Sequence, residues 1–435
     1  MRPVKGTNST PAPLLLTTLR DRDFGLLWAS GALDNTSRWM DTVAMGLLVL
    51  QQTDSPFQVA LLFVLRWVPM FAFAIFSGMI ADRANRWLVV AWTRVGTVLI
   101  TAIILCLVAI GTVQPWHLFL ASLALGCMFV LEFPSRRSFI FDLVGSRFIV
   151  SAMSLETLST TLGRFVGPLT AGLFIQLAGF TGAFVFLVCG YGLALLFFAL
   201  IKARFPAQSN RGQSIWRNFT HGLAYSLKHR VIRSVLAVTL IMNALAFSVE
   251  PLFPVVARDH LNVGPGLTGV LISSQSIGSF MAAMAIGWFG VVKYHGRVYI
   301  LGITLQLLSL LLFALSPWYP VSFVILAVSG VGAAGFGTMQ STIILISASP
   351  DMRGTTIGVL GQCIGVAAFG GLLVGAVANF FNAQVAIALS ASLGLILLIP
   401  VVSFSPLVRR PITPYQDDPS NSGSRDTAGA SQPLD

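Results

Sequence analysis

The sequence predicts an all-α membrane protein in which twelve transmembrane helices form two halves of six helices each. Its 435 residues are 55% hydrophobic and only 10% charged, and a mean hydropathy of +0.81 exceeds what one soluble core can bury. Twelve apolar runs are each long enough to cross a hydrocarbon layer about 30 Å thick. A polar and basic linker, residues 202–233, separates the first six runs from the last six.

The predicted spans alternate with short polar connections. We place them at residues 24–50, 57–80, 88–111, 116–139, 152–178, 182–201, 234–256, 267–290, 298–315, 321–347, 354–379 and 383–404. The N-terminal bundle then covers 24–201 and the C-terminal bundle 234–404. Residues 1–23 predict a short polar arm, and residues 405–435, rich in Pro, Ser, Asp and Gly, predict a disordered tail.

The distribution of basic residues predicts the orientation. Among 27 Lys and Arg residues, Arg258 alone lies in a loop on the side opposite the termini. Because Lys and Arg collect in cytoplasmic loops, we expect both termini in the cytoplasm and the chain in the cell (inner) membrane. The linker also carries apolar residues at helical spacing, including Trp216 and Leu223, which predicts an amphipathic helix on the inner bilayer surface. Anionic lipid headgroups then account for its charge, and we expect no nucleic-acid partner.

Several function classes find no support in the sequence. The four cysteines lie inside apolar runs, and neither they nor the five histidines have metal-ligand spacing. No phosphate-binding loop of the form G-x-x-x-x-G-K-[ST] occurs, which argues against ATP-driven transport by this chain alone. We therefore expect no enzyme site, no metal and no cofactor.

Ionisable residues inside the spans are the candidate functional groups, because each costs about 2.5–3.5 kcal/mol to place in a membrane and normally faces a cavity or a partner. Asp34, Arg38 and Asp41 are spaced i, i+4 and i+7 and share one stripe of the first span. The predicted proton and substrate pathway comprises Asp34, Arg38, Asp41, Arg66, Arg94, Glu132, Arg164 and Glu250.

Two interpretations of these charges stay open. They form a pathway, or they form fixed ion pairs that hold the helices together. A proton-coupling acid has to lose its partner in one conformation, and Asp34 and Asp41 are the leading candidates because both could share Arg38. Glu250 precedes Pro251, which predicts a kink near the outer end of the seventh span, where Glu250 could serve a gate or cap the broken helix.

Two glycine-containing motifs carry a resemblance to the major facilitator superfamily. Gly78-x-x-x-Asp82-Arg83-x-x-Arg86 resembles the cytoplasmic loop signature between the second and third spans of that superfamily. Gly163-x-x-x-Gly167-Pro168-x-x-x-Gly172 in the fifth span resembles the signature of its antiporters, and this resemblance implies export and a bent, tightly packed helix. Gly361, Gly365 and Gly370 in the eleventh span repeat the spacing of Gly163, Gly167 and Gly172, which fits either an internal duplication or the small-residue ladders common where membrane helices pack closely.

Three further patterns are similar to the secretion-effector branch of the superfamily, which includes enterobactin exporters and macrolide efflux proteins. They lie at residues 39–57, 134–144 and 154–168. The chain departs from the loop signature at two positions. Asn85 stands where glycine is usual, and Trp87 stands where a second basic residue is usual. Tyr294 replaces the acid in the corresponding loop of the second half. Asp41 and Glu132 are unusual for the branch, and we expect them to influence substrate choice.

The first motif predicts a latch between the halves. Asp82 is expected to cap the positive N-terminal end of the eleventh span near Thr356. Either Arg83 or Arg86 would pair with Asp142. The latch would close when the cavity faces outward and break when it opens inward.

The expected function is secondary transport. We expect a transporter, functional as a monomer in the lipid bilayer, that exports a small amphipathic molecule by alternating access in exchange for protons. Siderophore export is an alternative, favoured by an anionic substrate that meets Arg66 and Arg164. A non-transporting receptor or scaffold on the same fold is an alternative of another class.

Overall fold

A computed structural model describes residues 21–83, 85–204, 223–289, 294–349, 352–405 and 407. Within these ranges every regular element is helical. The long helices are α1 (Arg22–Thr53), α2 (Pro56–Arg83), α3 (Arg86–Ala109), α4 (115–144), α5 (146–178), α6 (180–199), α7 (Arg230–Asp259), α8 (Pro265–Phe289), α9 (His295–Leu315), α10 (Tyr319–Ser347), α11 (353–380) and α12 (Ala383–Phe404).

Two glycines divide the long helical stretch Pro115–Ala199 into three crossings. Gly145 has φ 67° and Gly179 has φ 66°, a backbone conformation that only glycine adopts without strain. These two turns separate α4, α5 and α6 without a conventional loop. The sequence predicted the crossings, but it placed longer connections between them.

Twelve crossings are confirmed. Ten helical stretches in the described ranges are long and apolar enough to cross a membrane, and one of them, Leu155–Ala199, holds two crossings because Gly179 interrupts it. The twelfth is α1, which is 32 residues long and carries Asp34, Arg38 and Asp41 near its centre. Large apolar side chains such as Leu177 cover the outward faces of the helices, as expected for contact with lipid.

Side-chain caps define several helix ends. The Asp21 carboxylate accepts a hydrogen bond from the Phe24 amide at the start of α1, and Asp54 ends that helix in the left-handed conformation. His229 Nδ1 accepts from the Ile232 amide at the start of α7. Burial lowers the pKa of His229, which keeps this nitrogen free to accept at neutral pH.

The six-plus-six arrangement gives the molecule two ends. We call α1–α6 the N-half and α7–α12 the C-half. The α1–α2, α3–α4 and α5–α6 turns lie at the Asp54 end, and the α2–α3 and α4–α5 turns lie at the Asp142 end. The boundaries predicted for the bundles, linker and termini stay predictions, because residues 1–20, 205–222 and 408–435, which hold most of the arm, the linker helix and the tail, lie outside the described residues.

The apolar core joins the halves at one end. One buried cluster contains the C-half core and the N-half residues nearest the Asp54 end, such as Leu48 and Val59. A separate cluster, which includes Phe24, Val90 and Phe139, lies in the N-half at the Asp142 end. The halves therefore share a core toward the Asp54 end in this conformation.

Two helix crossings carry most of that contact. α5 meets α8 where Gly172 faces Gly269, and Ser273 Oγ donates to the Phe165 carbonyl over 2.8 Å. α2 meets α11 where Phe71 and Phe369 form an edge-to-face pair with ring centroids 5.0 Å apart. Both crossings join one helix of the N-half to one of the C-half.

The seventh helix departs from α geometry where the sequence predicted a kink. Residues Met242–Ala246 form a π-helical turn and Phe247–Leu252 a 3-10 turn, before α geometry resumes at Phe253–Asp259. Glu250 and Pro251 lie in the 3-10 turn. Proline lacks the amide hydrogen that a regular α-helix would use there, which accounts for the change of hydrogen-bond pattern.

Candidate functional site

A polar cavity lies between the helices of the N-half. It has a volume of about 350 Å³ and is lined by side chains of α1, α2, α4 and α5. It runs from mid-helix positions of α1 and α2 toward the Asp142 end of α4. We call it the N-half cavity. A cavity of about 80 Å³, the inter-half cavity, is lined by both halves, including Trp39, Arg66, Arg164, Glu250 and Gln275.

A row of four aromatic rings forms one wall of the N-half cavity. Phe63 and Trp67 of α2 have ring centroids 6.0 Å apart, and Trp67 meets Phe129 of α4 edge-on at 6.0 Å. Phe129 contacts Phe133 at 5.5 Å. The i, i+4 spacing within each helix places these rings on one face. This aromatic row offers a continuous apolar surface inside a cavity whose other lining side chains are mostly polar or charged.

Asp34 joins two arginines in the interior of the N-half. Arg38 Nη2 lies 2.5 Å from its Oδ2, and Arg94 Nη1 lies 3.8 Å from its Oδ1. Arg94 also donates to Glu132 over 2.9 Å and is 2% exposed. Because Arg94 reaches α1 and α4 from α3 while fully surrounded by protein, its geometry is that of a structural clamp. Arg38 instead lines the N-half cavity, with its guanidinium 4.2 Å from the Phe129 ring centre.

Asp41 pairs with Arg66 of α2, at 2.7 Å, whereas Arg38, which both acids were expected to share, pairs with Asp34 in this conformation. Helical side chains point toward the N-terminus of their helix, so Arg38 leans back to Asp34 and away from Asp41. The Asp41 side chain is 0% exposed, and its Oδ1 has no hydrogen-bond partner within the described part of the chain. Arg66 lines both cavities.

Arg164 and Glu250 form an ion pair between the halves. Arg164 Nη2 of α5 lies 3.3 Å from Glu250 Oε1 of α7, and its guanidinium stacks over Trp39 at 4.5 Å. All three line the inter-half cavity. All eight predicted pathway residues are thus paired in this conformation, and both interpretations of them stay open.

The predicted latch is described in part. Arg86 pairs with Asp142, which is one of the two predicted pairings. Asn85, an exception to the loop signature, caps α3 by accepting from the Trp87 amide over 3.1 Å. Gly78, Asp82 and Arg83 belong to α2, but the side chains of Asp82 and Arg83 lie outside the described part of the structure, so the contact between Asp82 and α11 stays a prediction.

The antiporter-like motif holds α5 between two helices. A β-carbon at Gly163 would lie 2.8 Å from the Asn35 carbonyl carbon, and one at Gly167 would lie 2.7 Å from the Met40 amide nitrogen of α1. A β-carbon at Gly172 would lie 2.3 Å from a backbone oxygen of α8. Pro168 lines the inter-half cavity. The motif therefore packs α5 against its own half and against the other half.

The glycines that repeat this spacing have different neighbours. Gly365 packs against Phe71 of α2, in the other half, whereas its counterpart Gly167 packs within its own half. Gly370 packs against Ala244 of α7, in its own half, whereas its counterpart Gly172 packs across the halves. The shared spacing therefore does not reflect equivalent contacts.

Sequence comparison assigns the chain to a family. A family model described as transmembrane secretion effector matches residues 12–421. The chain belongs to the transmembrane secretion effector family. Among curated relatives, the enterobactin exporter EntS of Shigella boydii serotype 18 is 26% identical over 358 residues, which are 77% of this chain and 83% of that relative. EntS of Escherichia coli O1:K1 / APEC is 25% identical with the same coverage.

Solved structures confirm the fold of this secretion effector. A bacterial homologue of the human lysosomal transporter Spinster matches with a TM-score of 0.69 at 15% identity, over 95% of this chain and 100% of that chain. The nucleoside transporter NupG matches with a TM-score of 0.67 at 17% identity, over 90% of this chain and 98% of that chain. The protein is a multi-pass secondary transporter of the exporter type with the major facilitator fold, and it is not an enzyme.

Four residues of the secretion effector's site were missed in the sequence. Arg136 forms a two-pronged ion pair with Glu156, and Arg137 lies beside it. Tyr191 of α6 lines a space of about 10 Å³, enough for one water molecule, together with Asp34 and Arg66. Arg136 and Arg137 lie near the end of α4, where basic residues were interpreted as topology signals. The sequence signal that could have identified them is the pair of adjacent arginines on a helix that ends at Gly145.

Proposed function

We propose that this secretion effector exports a small amphipathic molecule in exchange for protons, by alternating access of the space between its halves. The observation that carries the proposal is the Asp41–Arg66 pair, because Arg66 faces both cavities while Asp41 is sealed behind it. Cavities that combine aromatic walls with a few charged groups suit amphipathic ligands.

Proton coupling follows from the unequal surroundings of the two partners. A buried carboxylate with one oxygen lacking a hydrogen-bond donor is costly to keep charged. Protonation of Asp41 removes that cost and frees Arg66 to meet a substrate or to move. Conversely, substrate that engages Arg66 weakens its hold on Asp41. Proton and substrate therefore compete through one arginine, which is the requirement for exchange.

The proposed orientation places the Asp142 end and both termini in the cytoplasm of a cell with the chain in its inner membrane. It rests on the basic residues concentrated at that end. Since the halves share their core at the Asp54 end, the conformation described here would then face the cytoplasm and could load substrate from it. A single chain contains both halves and both cavities, and we propose that it works as a monomer.

Transport into vesicles tests the proposal. Inverted vesicles that contain the protein would be given a panel of amphipathic dyes, with and without an interior-acid pH gradient, and empty vesicles would serve as the control. We expect at least one dye to accumulate only in the protein-containing vesicles with the gradient. Equal accumulation with and without the pH gradient would contradict proton exchange. If no compound enters the vesicles, the alternative of a non-transporting receptor or scaffold is favoured.

Siderophore export is the second candidate. It is favoured by the enterobactin exporters among the relatives. Arg66 and Arg164, expected to meet an anionic substrate, are both engaged by acids here, so a siderophore would have to displace Asp41 or Glu250. A deletion strain grown without iron would retain its siderophore inside the cells under this candidate, whereas normal secretion would exclude it.

A further inference from the structure

The charges around the N-half cavity do not balance. Four acids and five arginines occur among the described residues of this wall and the interior directly behind it. Four arginines have an acid within 4.0 Å: Arg38 with Asp34, Arg66 with Asp41, Arg94 with Glu132, and Arg136 with Glu156. The remaining arginine is Arg137.

Arg137 is exposed in the cavity, and it forms no ion pair with an acid in the described ranges. Its guanidinium lies 4.1 Å from the ring centre of Phe133, one helical turn earlier in α4. The nearby Glu156 is engaged by Arg136 through both carboxylate oxygens, the second at 2.8 Å. Stacking on a ring face leaves the in-plane N–H groups of a guanidinium available to an acceptor.

The aromatic row ends at this cation. Phe133 is the last ring of the row that begins at Phe63, and it is also the ring on which Arg137 stacks. A ligand lying along the rings would bring a terminal charged group to the guanidinium. An anion would be matched there, whereas a cation would meet an unbalanced positive charge.

We propose that Arg137 is the anion-binding subsite of this exporter, and that its substrates are elongated amphipathic anions with an aromatic or flat apolar body. This rests on the proposed function and narrows its substrate class. Arg137 binds the anionic group, by paired hydrogen bonds where the group is a carboxylate, and the aromatic row holds the body.

Matched probes test this assignment. 1-Pyrenebutyrate, 1-pyrenebutanol and 1-pyrenebutylamine share one aromatic body and differ in charge. Binding to the purified full-length protein would be followed by energy transfer from tryptophan to pyrene. We expect the wild type to bind the carboxylate about tenfold more tightly than the alcohol, the size of one charge-assisted contact. Arg137→Gln should lose this preference and keep alcohol binding, and Arg137→Lys should retain part of it.

A second arginine serves as the control. Arg204 also stacks on an aromatic ring, 3.6 Å from Trp87, but it does not line either cavity. Arg204→Gln should keep the carboxylate preference. Equal binding of the three probes by the wild type, or an unchanged preference in Arg137→Gln, would overturn the assignment.

The two proposals fail separately. If the pH gradient drives the amine or the alcohol but not the carboxylate, the anion subsite is wrong and proton-coupled export stands. If the carboxylate binds through Arg137 but no probe is driven by the gradient, the subsite stands and the proposed function fails.

Discussion

At the scale of residues, the two acids of α1 have different neighbours. Asp34 is shared by Arg38 and Arg94, whereas Asp41 has Arg66 and one oxygen without a partner among the described residues. A sequence shows that such residues share a helix face, because that follows from spacing alone. It does not show which arginine reaches which acid, because that depends on side-chain direction and on how the neighbouring helices are rotated.

Neutralising the α1 acids should uncouple transport from protons. We expect Asp41→Asn to reach the membrane but to lose pH-gradient-driven accumulation by about tenfold or more, since the exchangeable proton is gone. Asp34→Asn should also lose it, because Arg38 is released into the cavity. The measurement is dye accumulation in vesicles at equal protein content. Asp259→Asn, an exposed acid at the Asp54 end, is the control, and full accumulation by both α1 variants would contradict the prediction.

The buried Arg94–Glu132 pair should behave as a structural contact. Glu132→Gln leaves Arg94 with the longer contact to Asp34 as its one ion pair among the described residues, and breaking a buried pair costs about 3–5 kcal/mol. We therefore expect a clearly lower thermal unfolding midpoint in detergent. Replacing both partners, as Arg94→Met with Glu132→Leu, should restore much of the midpoint and retain gradient-driven transport. A stable double variant that fails to transport would assign the pair to the pathway instead.

At the scale of elements, the glycine faces of α5 set how the halves meet. The spans and the glycine motifs were predictable because the length of an apolar run and the spacing of small residues can be read directly from the sequence. The partners of the glycines were not, since a glycine ladder allows close approach on any face. The π and 3-10 turns of α7 were predictable only as a kink at Pro251, because proline marks the position of a disruption and not its form.

The α5–α8 crossing should not tolerate a side chain. A β-carbon at Gly172 would lie 2.3 Å from the Pro265 carbonyl oxygen, so Gly172→Ala forces the helices apart. We expect a cost of about 1–3 kcal/mol in the conformation closed at the Asp54 end. This destabilisation of the closed conformation would be measured as faster maleimide labelling of a single cysteine placed at Gly46 in the inter-half cavity. Gly192→Ala, which meets nothing within 4 Å, should label like the parent protein. Identical rates for both variants would contradict the proposed role of the crossing.

A second contact closes the same end. Arg258 of the C-half donates to the Leu50 carbonyl over 3.0 Å and to Asp54 over 2.8 Å, at the negative C-terminal end of α1. Because this pair is exposed, it contributes only about 0.2–1 kcal/mol. Arg258→Gln should accordingly raise labelling at the Gly46 position by no more than about fivefold. Asp259→Asn removes an arginine contact within the same half, and it should leave the labelling unchanged.

At the scale of the whole molecule, the twelve helices and the transporter class could be predicted from the sequence, because membrane insertion demands long apolar runs and basic loops. The conformation of the transporter could not be predicted from the sequence. Which end is closed depends on the balance between contacts such as Gly172–Gly269 and the predicted latch at Asp82, and these compete across about the thickness of the membrane. The surplus charge of Arg137 was not predictable from the sequence either, because it depends on which acid pairs with each of the other arginines of the cavity.

We infer that export requires the Asp54 end to open and close. Ser55 Oγ, directly before α2, lies 3.2 Å from Asn379 Oδ1 of α11, so cysteines at these two positions would face each other across the halves within reach of a short cross-linker. In a background without native cysteines, the Ser55→Cys with Asn379→Cys variant would be oxidised, or bridged with a short bismaleimide, and assayed for gradient-driven export. We predict that the cross-link abolishes export, that reduction of the disulfide restores it, and that each single variant is unaffected. Undiminished export by the fully cross-linked protein would contradict the account.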